Sequence, residues 1–296
     1  MAGSTAPCQV ADEARIHPTV RIGRWCVVGP RVQLDAGVVL EDRSVVLGRT
    51  RIGAETTIGA GSVIGDHPQD LKYRGGHTWL LVGRRNRIGR NVTIHVGTEG
   101  GGWATYVGDD CRFGDGCHVA HDCYLDDEVT LGERVLLAGH IVVGRGAVLE
   151  RMTGIHHFTR IGRYCRVGPR TPVRRDVPPF TDFYSRDYYS DPPAIRGVHE
   201  AGIAAAGLDA DVERALRAAL TELFDTDAAL ATQVAALERR GAMIEVVADL
   251  CRFCRESLAG RFGRYRERFR NQTPPEAERF LPEDVRRAIA QEQSCQ

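Results

Sequence analysis

The sequence lacks a net charge, a long apolar run and a recognisable export signal. Its 296 residues carry 39 basic and 39 acidic side chains, so nucleic acid or an anionic membrane would need a local patch to bind. No run of about 18 apolar residues occurs, and residues 1–14 lack a basic segment followed by an apolar core. These absences argue against nucleic-acid binding, a membrane span and export, and they predict a cytoplasmic protein.

The sequence also gives little support for disulfide bonds and contains a single lysine. The nine cysteines are odd in number and follow no export signal, which favours reduced thiols. Lys72 is the only lysine among the 39 basic residues. A general drift toward arginine predicts that a lysine remains where a compact ammonium is required, the alternative being chance.

What the sequence does contain is a six-residue repeat of apolar residues, often followed by glycine. Its positions are Ile16, Ile22, Val28, Leu34, Leu40, Val46, Ile52, Ile58, Ile64, Val82, Ile88 and Ile94, then, one residue out of phase, Val107, Phe113, Val119, Leu125, Leu131, Leu137, Val143, Leu149, Ile155, Ile161, Val167 and Val173. A hexad fits a short strand followed by a sharp turn, and three hexads close one triangular coil. The pattern predicts a left-handed parallel β-helix of about nine coils over residues 16–177.

The end of the repeat divides the chain into three predicted parts. Residues 1–180 form the β-helix domain, residues 181–270 a helical C-terminal domain, and residues 271–296, which include Pro274 and Pro275, a tail or an appended helix.

The C-terminal apolar pattern, the arginine-rich segment and most cysteines are predicted to have structural roles. Apolar residues at helical spacing follow Asp209 or Asp211, either of which is a candidate helix cap. The segment Arg261–Arg270 holds five arginines and predicts a solvated helix face, with a site for an acidic partner as the alternative. Seven cysteines are predicted to be packing residues rather than redox or zinc groups: Cys26, Cys111, Cys117, Cys123, Cys165, Cys251 and Cys254.

The hexads are interrupted twice, and most histidines lie near these interruptions. Residues 65–81 keep the phase, whereas residues 95–106 add one residue in a glycine-rich stretch. Loops that protrude from a regular solenoid tend to carry binding groups. Because His121 and His157 are separated by two 18-residue coils, and His140 follows His121 by 19 residues, the spacing predicts one vertical seam of histidines on the same side.

Ordered blocks along the chain resemble the acyl-ACP–UDP-N-acetylglucosamine O-acyltransferase family, which begins lipid A synthesis. These blocks are Gln69-Asp70-Leu71-Lys72-Tyr73, Arg85-Asn86-Arg87-Ile88, Val92-Thr93-Ile94-His95, His118-Val119-Ala120-His121-Asp122-Cys123, Leu137-Ala138-Gly139-His140, Ile155-His156-His157-Phe158 and Asp176-Val177-Pro178-Pro179. The resemblance implies a homotrimer with sites between neighbouring β-helices. It also implies a 3-hydroxyacyl group delivered by acyl carrier protein, and no metal or other cofactor.

The resemblance also implies roles for individual residues. His121 would be the general base, and the N–H of Gly139 would bind the oxyanion. Asp122 either holds the imidazole ring or caps a turn. The remaining substrate-binding candidates are Asp70, Lys72, His118, His140, His156 and His157, the last of which stands where the family usually has glutamine.

Departures from the family pattern leave the acceptor open. A basic pair that contacts the nucleotide in the family aligns with Ala205 and Ala206, although nearby Arg196 could compensate. A related acyltransferase with another sugar or alcohol acceptor is therefore the alternative. Two other classes of protein share this fold: a zinc enzyme of the carbonic anhydrase type, which the His-x-x-His spacing disfavours, and a non-catalytic scaffold.

Overall fold

The computed structural model describes residues 8–187, 190–241, 243–270, 272 and 279–293. Residues from Gln9 to Val173 wind through three parallel sheets, and each strand pairs with the strand one coil away, as Val27 does with Val45. The six-residue repeat therefore forms the predicted parallel β-helix, which has three faces.

The strands are short, and most contain two residues. Sheet 1 contains Gln9–Val10, Val27–Val28, Val45–Val46, Val63–Asp66, Thr93–His95, His118–Val119, Leu136–Leu137, Gly154–Ile155 and Pro172–Val173. Sheet 2 contains Arg15–Ile16, Gln33–Leu34, Arg49–Ile52, Trp79–Val82, Ala104–Val107, Tyr124–Leu125, Val142–Val143 and Arg160–Ile161. Sheet 3 contains Arg21–Ile22, Val39–Leu40, Thr57–Ile58, Arg87–Ile88, Arg112–Phe113, Thr130–Leu131, Val148–Leu149, Arg166–Val167, Thr181–Tyr184 and the antiparallel Ala194–Val198.

The interior is filled by the apolar hexad residue of each strand and by the residue two positions before it, which is usually small. Ile52, Ile94 and Leu125 are completely buried. The five hexad cysteines are also core residues, as predicted, and burial raises the pKa of the Cys111 and Cys123 thiols to about 12. Protonated, enclosed thiols of this kind are poor redox groups.

Both interruptions of the hexad emerge at the edge between sheets 1 and 2. Residues 67–78 connect Val63–Asp66 to Trp79–Val82, and residues 96–103 connect Thr93–His95 to Ala104–Val107. The turn that carries His121 joins the same two sheets. The topology therefore brings both loops to the histidine side of the coil, as predicted.

Helices follow the β-helix. They are α1 (Glu200–Ala206), α2 (Ala210–Phe224), α3 (Leu230–Arg239), α4 (Glu245–Ala259) and α5 (Glu283–Gln293). Asp209 occupies the N-cap position of α2 without a side-chain capping hydrogen bond. Cys251 and Cys254 lie in the core between helices, as predicted. In the described part of the chain, no helix combines the length and apolarity of a membrane span.

The prediction of a solvated helix at Arg261–Arg270 is wrong. This segment, here named the strap, contains only a short 3₁₀ helix, Tyr265–Phe269. The side chain of Arg266 is 1% exposed; it donates to the carbonyl oxygen of His140 and lies over the ring of Tyr124. Burial is tolerated because the β-helix supplies a hydrogen-bond acceptor and an aromatic face for the guanidinium.

Beyond the strap, α5 lies against sheet 2. Phe280 contacts the rings of Tyr106 and Tyr124 at centroid distances of 5.3 and 5.8 Å, and Arg51 binds Asp284 at 2.6 Å. The predicted tail therefore includes a packed helix, whereas Pro274 and Pro275 lie outside the described residues.

Candidate active site

A buried pair, His121 and Asp122, forms the centre of the candidate site. The Nδ1 atom of His121 lies 2.7 Å from Oδ2 of Asp122, and the carboxylate side chain is fully buried. The same carboxylate accepts hydrogen bonds from the Thr98 hydroxyl at 2.7 Å and from the Thr98 N–H at 2.9 Å. Three donors converge on one carboxylate, and these hydrogen bonds compensate its removal from water.

The local backbone explains how adjacent residues can pair in this way. Asp122 has a φ of 59°, a left-handed conformation that turns its side chain back toward the ring of His121. Its N–H donates to the Thr105 hydroxyl at 2.9 Å. Gly101 makes room for the carboxylate, since a Cβ at that position would lie 2.1 Å from Oδ2.

Gly139 makes room for the ring of His121, as Gly101 does for the carboxylate of Asp122. It occupies the equivalent turn position one coil later, and a Cβ there would lie 2.7 Å from Cε1 of the imidazole. Its N–H forms no hydrogen bond within the residues that the structure describes. The geometry therefore presents an imidazole and an unengaged backbone donor side by side.

The predicted seam of histidines consists of two adjacent columns. His121 and His157 stand in one column, with Gly139 between them, whereas His140 stands one coil above Asp122 in the other. The ring of His140 meets that of His121 edge-on at 5.1 Å and stacks on Phe158 at 4.3 Å. Burial lowers the pKa of His140 to about 4, so its ring is neutral at pH 7. The one-residue offset that the spacing predicted for His140 thus places it beside the carboxylate, with Nδ1 at 3.8 Å from Oδ2.

The other histidines lie on either side of this centre. His118 lies on sheet 1, with Nδ1 at 2.7 Å from the Thr93 hydroxyl, and burial together with the nearby rings of His95 and His121 lowers its pKa. His156 and His157 contact each other at 3.9 Å between ring centroids. Burial is also the main reason for the lowered pKa of His157.

Two cavities meet at His121 and Gly139. A groove of about 500 Å³ runs along sheet 1 and is lined largely by apolar residues, among them Leu136, Ile155, Pro172 and Val173. A cavity of about 610 Å³ on the other side is lined largely by polar and charged residues, among them Asp70, Lys72, Arg74, Glu99 and Arg270. The first is named the apolar groove and the second the polar cavity.

The structure brings the sequence-predicted residues together within a single chain. Asp70, Lys72, His140 and His157 line the polar cavity, His118 and His156 line the apolar groove, and His121 and Gly139 line both, with Asp122 behind them. Sequence reasoning missed Thr98, Arg74, Glu99 and Arg270. Only the glycine-rich interruption gave a signal for Thr98 and Glu99. For Arg270 the signal was the arginine-rich segment Arg261–Arg270, for which a site for an acidic partner was the alternative.

One set of groups in the described residues is close enough together to hold a metal ion. The ligand atoms of His121, Asp122 and His140 lie within 4.8 Å of one another. However, Oδ2 of Asp122 already accepts from His121 and from Thr98, and a metal would have to displace both bonds. The arrangement fits a hydrogen-bonded acid–imidazole pair better than a metal centre.

Comparisons with known proteins agree with the β-helix fold. No protein-family model matches the chain. Over 104 residues the chain is 36% identical to the acyl-(acyl-carrier-protein)–UDP-N-acetylglucosamine O-acyltransferase of Bartonella quintana. This alignment covers 35% of this chain and 38% of the relative. The match to the same enzyme of Rickettsia peacockii covers 39% of that relative, so the aligned sequence spans about two fifths of these curated proteins.

Solved structures match over more of their length. A crystal structure of a UDP-N-acetylglucosamine acyltransferase has a TM-score of 0.78 and 32% identity, covering 86% of this chain and 95% of that one. LpxA from Acinetobacter baumannii has a TM-score of 0.73 and 29% identity, covering 79% and 88%. The fold is thus the predicted left-handed parallel β-helix with C-terminal helices, of the class that includes acyltransferases. Within this class, the chain belongs to the UDP-N-acetylglucosamine acyltransferase family.

Proposed function

We propose that the protein transfers a 3-hydroxyacyl group from acyl carrier protein to a hydroxyl of UDP-N-acetylglucosamine, the first step of lipid A synthesis. The observation that carries this proposal is the meeting of two unlike cavities at His121 and Gly139. Acyl transfer to a sugar nucleotide needs an apolar site for the chain, a polar site for the acceptor, and a base where the two meet.

The chemistry follows from the His121–Asp122 pair. Since Nδ1 of His121 donates to Asp122, Nε2 takes the proton of the acceptor hydroxyl as its oxygen attacks the thioester carbonyl. The N–H of Gly139 binds the resulting oxyanion, and Asp122 stabilises the imidazolium. When the tetrahedral intermediate collapses, the C–S bond breaks and His121 returns its proton to the leaving sulfur.

The neighbouring residues have supporting roles in this proposal. Asp70 binds sugar hydroxyls and Lys72 a phosphate across the polar cavity. His140, kept neutral by burial, and His157 border the acceptor. His118 and His156 border the acyl chain in the apolar groove.

The alternative acceptor stays open because of the departures at Ala205 and Ala206. Arg196 does not compensate within the described chain. It donates to Asp191 and to the carbonyl oxygens of Tyr184 and Pro192, and it does not line the polar cavity. A different sugar or alcohol acceptor for the same acyl transfer is therefore the second candidate.

A homotrimer accounts for the outer surfaces of the β-helix. The outward column of sheet 1 contains Val27, Val45, Val63, Leu136 and Pro172 beside the polar Thr93 and His118, and Leu136 is 52% exposed. Helix α5 and the residues before it cover the middle strands of sheet 2, and arginines occupy many outward positions of sheet 3. Sheet 1 is thus the face left for contact between subunits, and light scattering at micromolar concentration tests this directly, a monomer contradicting it. The cytoplasmic location stays a prediction.

Replacement of His121 tests the proposed base. We expect His121→Ala to lower kcat by at least about 100-fold while the subunit assembly and melting temperature are kept. His17→Ala is the matched control, because His17 is an exposed histidine of the first coil. Near-normal turnover by His121→Ala would refute the assignment.

A further inference from the structure

The strap places an arginine on the wall of the polar cavity. Arg270 lines this cavity together with Lys72 and Arg74 of the loop 67–78. Its guanidinium lies over the ring of Phe158 at 4.4 Å, and its side chain remains 46% exposed. The aromatic ring fixes the cation at the cavity while leaving part of it accessible.

Arg270 shares its ion-pair partner with a second arginine. Nε and Nη2 of Arg270 donate to one oxygen of Glu267, at 3.2 and 2.8 Å. The same carboxylate also accepts from Arg264 at 2.6 Å, so one negative charge is shared by two guanidinium groups. Two carboxylates also line the cavity, and both are tied to the backbone of the loop 67–78. Glu99 accepts hydrogen bonds from the N–H groups of Gly76 and Arg74, and Asp70 accepts one from the N–H of Lys72.

We infer that Arg270 binds the diphosphate of the acceptor, together with Lys72 and Arg74 of the same cavity wall. A guanidinium held on an aromatic ring, in a cavity that two further cations also line, is well suited to a group with several anionic oxygens. This inference rests on the proposed function and assigns the acceptor side, because the acyl chain has the apolar groove on the other side of His121. The strap thus supplies a cation in a chain where Ala205 and Ala206 stand at the positions of the family's basic pair.

The phosphodiester of a phosphopantetheine arm has related chemistry, so the experiment must separate donor from acceptor. Calorimetry with UDP-N-acetylglucosamine and with UDP measures the acceptor side, and the KM for acyl carrier protein measures the donor side. We expect Arg270→Ala to weaken binding of both nucleotides by at least about tenfold, since charge-assisted hydrogen bonds are lost. Arg270→Lys should be intermediate, and the KM for the acyl donor should stay within about twofold.

Arg268→Ala provides the matched control. Arg268 belongs to the same strap and lies over the ring of Tyr265 at 5.6 Å, but it does not line the polar cavity, so its removal should leave nucleotide binding unchanged. If Arg270→Ala bound both nucleotides with wild-type affinity, or raised only the KM for the acyl donor, the inference would be overturned while the proposed function would stand. If the wild-type protein bound neither UDP nor UDP-N-acetylglucosamine, both the inference and the proposed acceptor would be overturned.

Discussion

Replacing Asp122 with asparagine removes a charge from the centre of the site while keeping its shape. The carboxylate now accepts from the Nδ1 of His121 and from both donors of Thr98. An amide has only one acceptor oxygen. If that oxygen keeps the bond from the Thr98 N–H, the NH₂ group faces His121, and Nδ1 must become an acceptor.

The consequence is a change of tautomer. The imidazole proton moves to Nε2, the atom that should take the acceptor's proton, and the imidazolium loses its buried counter-charge. We therefore expect Asp122→Asn to lower kcat by about 10²- to 10⁴-fold. The KM values should change little, and the free energy of unfolding should fall by no more than about 3 kcal/mol, because most hydrogen bonds persist.

Steady-state acyl-transfer kinetics and thermal unfolding together measure these effects. Thr98→Val is the control, since it removes one donor to the carboxylate but keeps the charge and the bond to His121; its kcat should fall by less than about tenfold. An Asp122→Asn variant within threefold of wild-type kcat would refute the proposed role of the pair.

Two further predictions concern the space and the protonation state around this pair. Gly139→Ala should lower kcat by roughly 100-fold in the same assay, because its Cβ would lie 2.7 Å from the His121 ring and displace it; unchanged kinetics would show that the ring position is not critical. Burial lowers the folded-state pKa of His140 to about 4, from the ordinary histidine value of 6.5. Between these pH values the unfolded chain binds a proton that the folded chain does not, so stability present above pH 6.5 should be lost as pH falls toward 4. In denaturant titrations between pH 6.5 and 4, the free energy of unfolding should fall by up to about 3 kcal/mol because of this group. This fall should be missing in His140→Gln. If the free energy of unfolding depended on pH equally in both proteins, the assignment would be contradicted.

The repeat made most of the fold predictable from sequence. A hexad dictates which residue of each strand enters the interior, so Ile52 and Leu125 could be assigned to the core individually. The same regularity made its two interruptions visible, and their position between sheets 1 and 2 brings Asp70 and Thr98 to the histidines.

The strap was not predictable in the same way. Arginines that alternate with aromatic residues have the pattern of a solvated helix, and burial of Arg266 depends on the carbonyl oxygen of His140, 126 residues earlier. Similarly, the pairing of Thr98 with Asp122 spans 24 residues across two different turns. Such contacts arise from tertiary packing and leave no periodic signal in the sequence.

Mass spectrometry of the acceptor tests the central proposal most directly. Purified protein is incubated with 3-hydroxyacyl carrier protein and UDP-N-acetylglucosamine, beside a His121→Ala sample. We predict that the nucleotide sugar gains the mass of one ester-linked acyl group in the wild-type sample only. An unmodified nucleotide sugar while the wild-type protein acylates a different acceptor, or equal product from both samples, would contradict it.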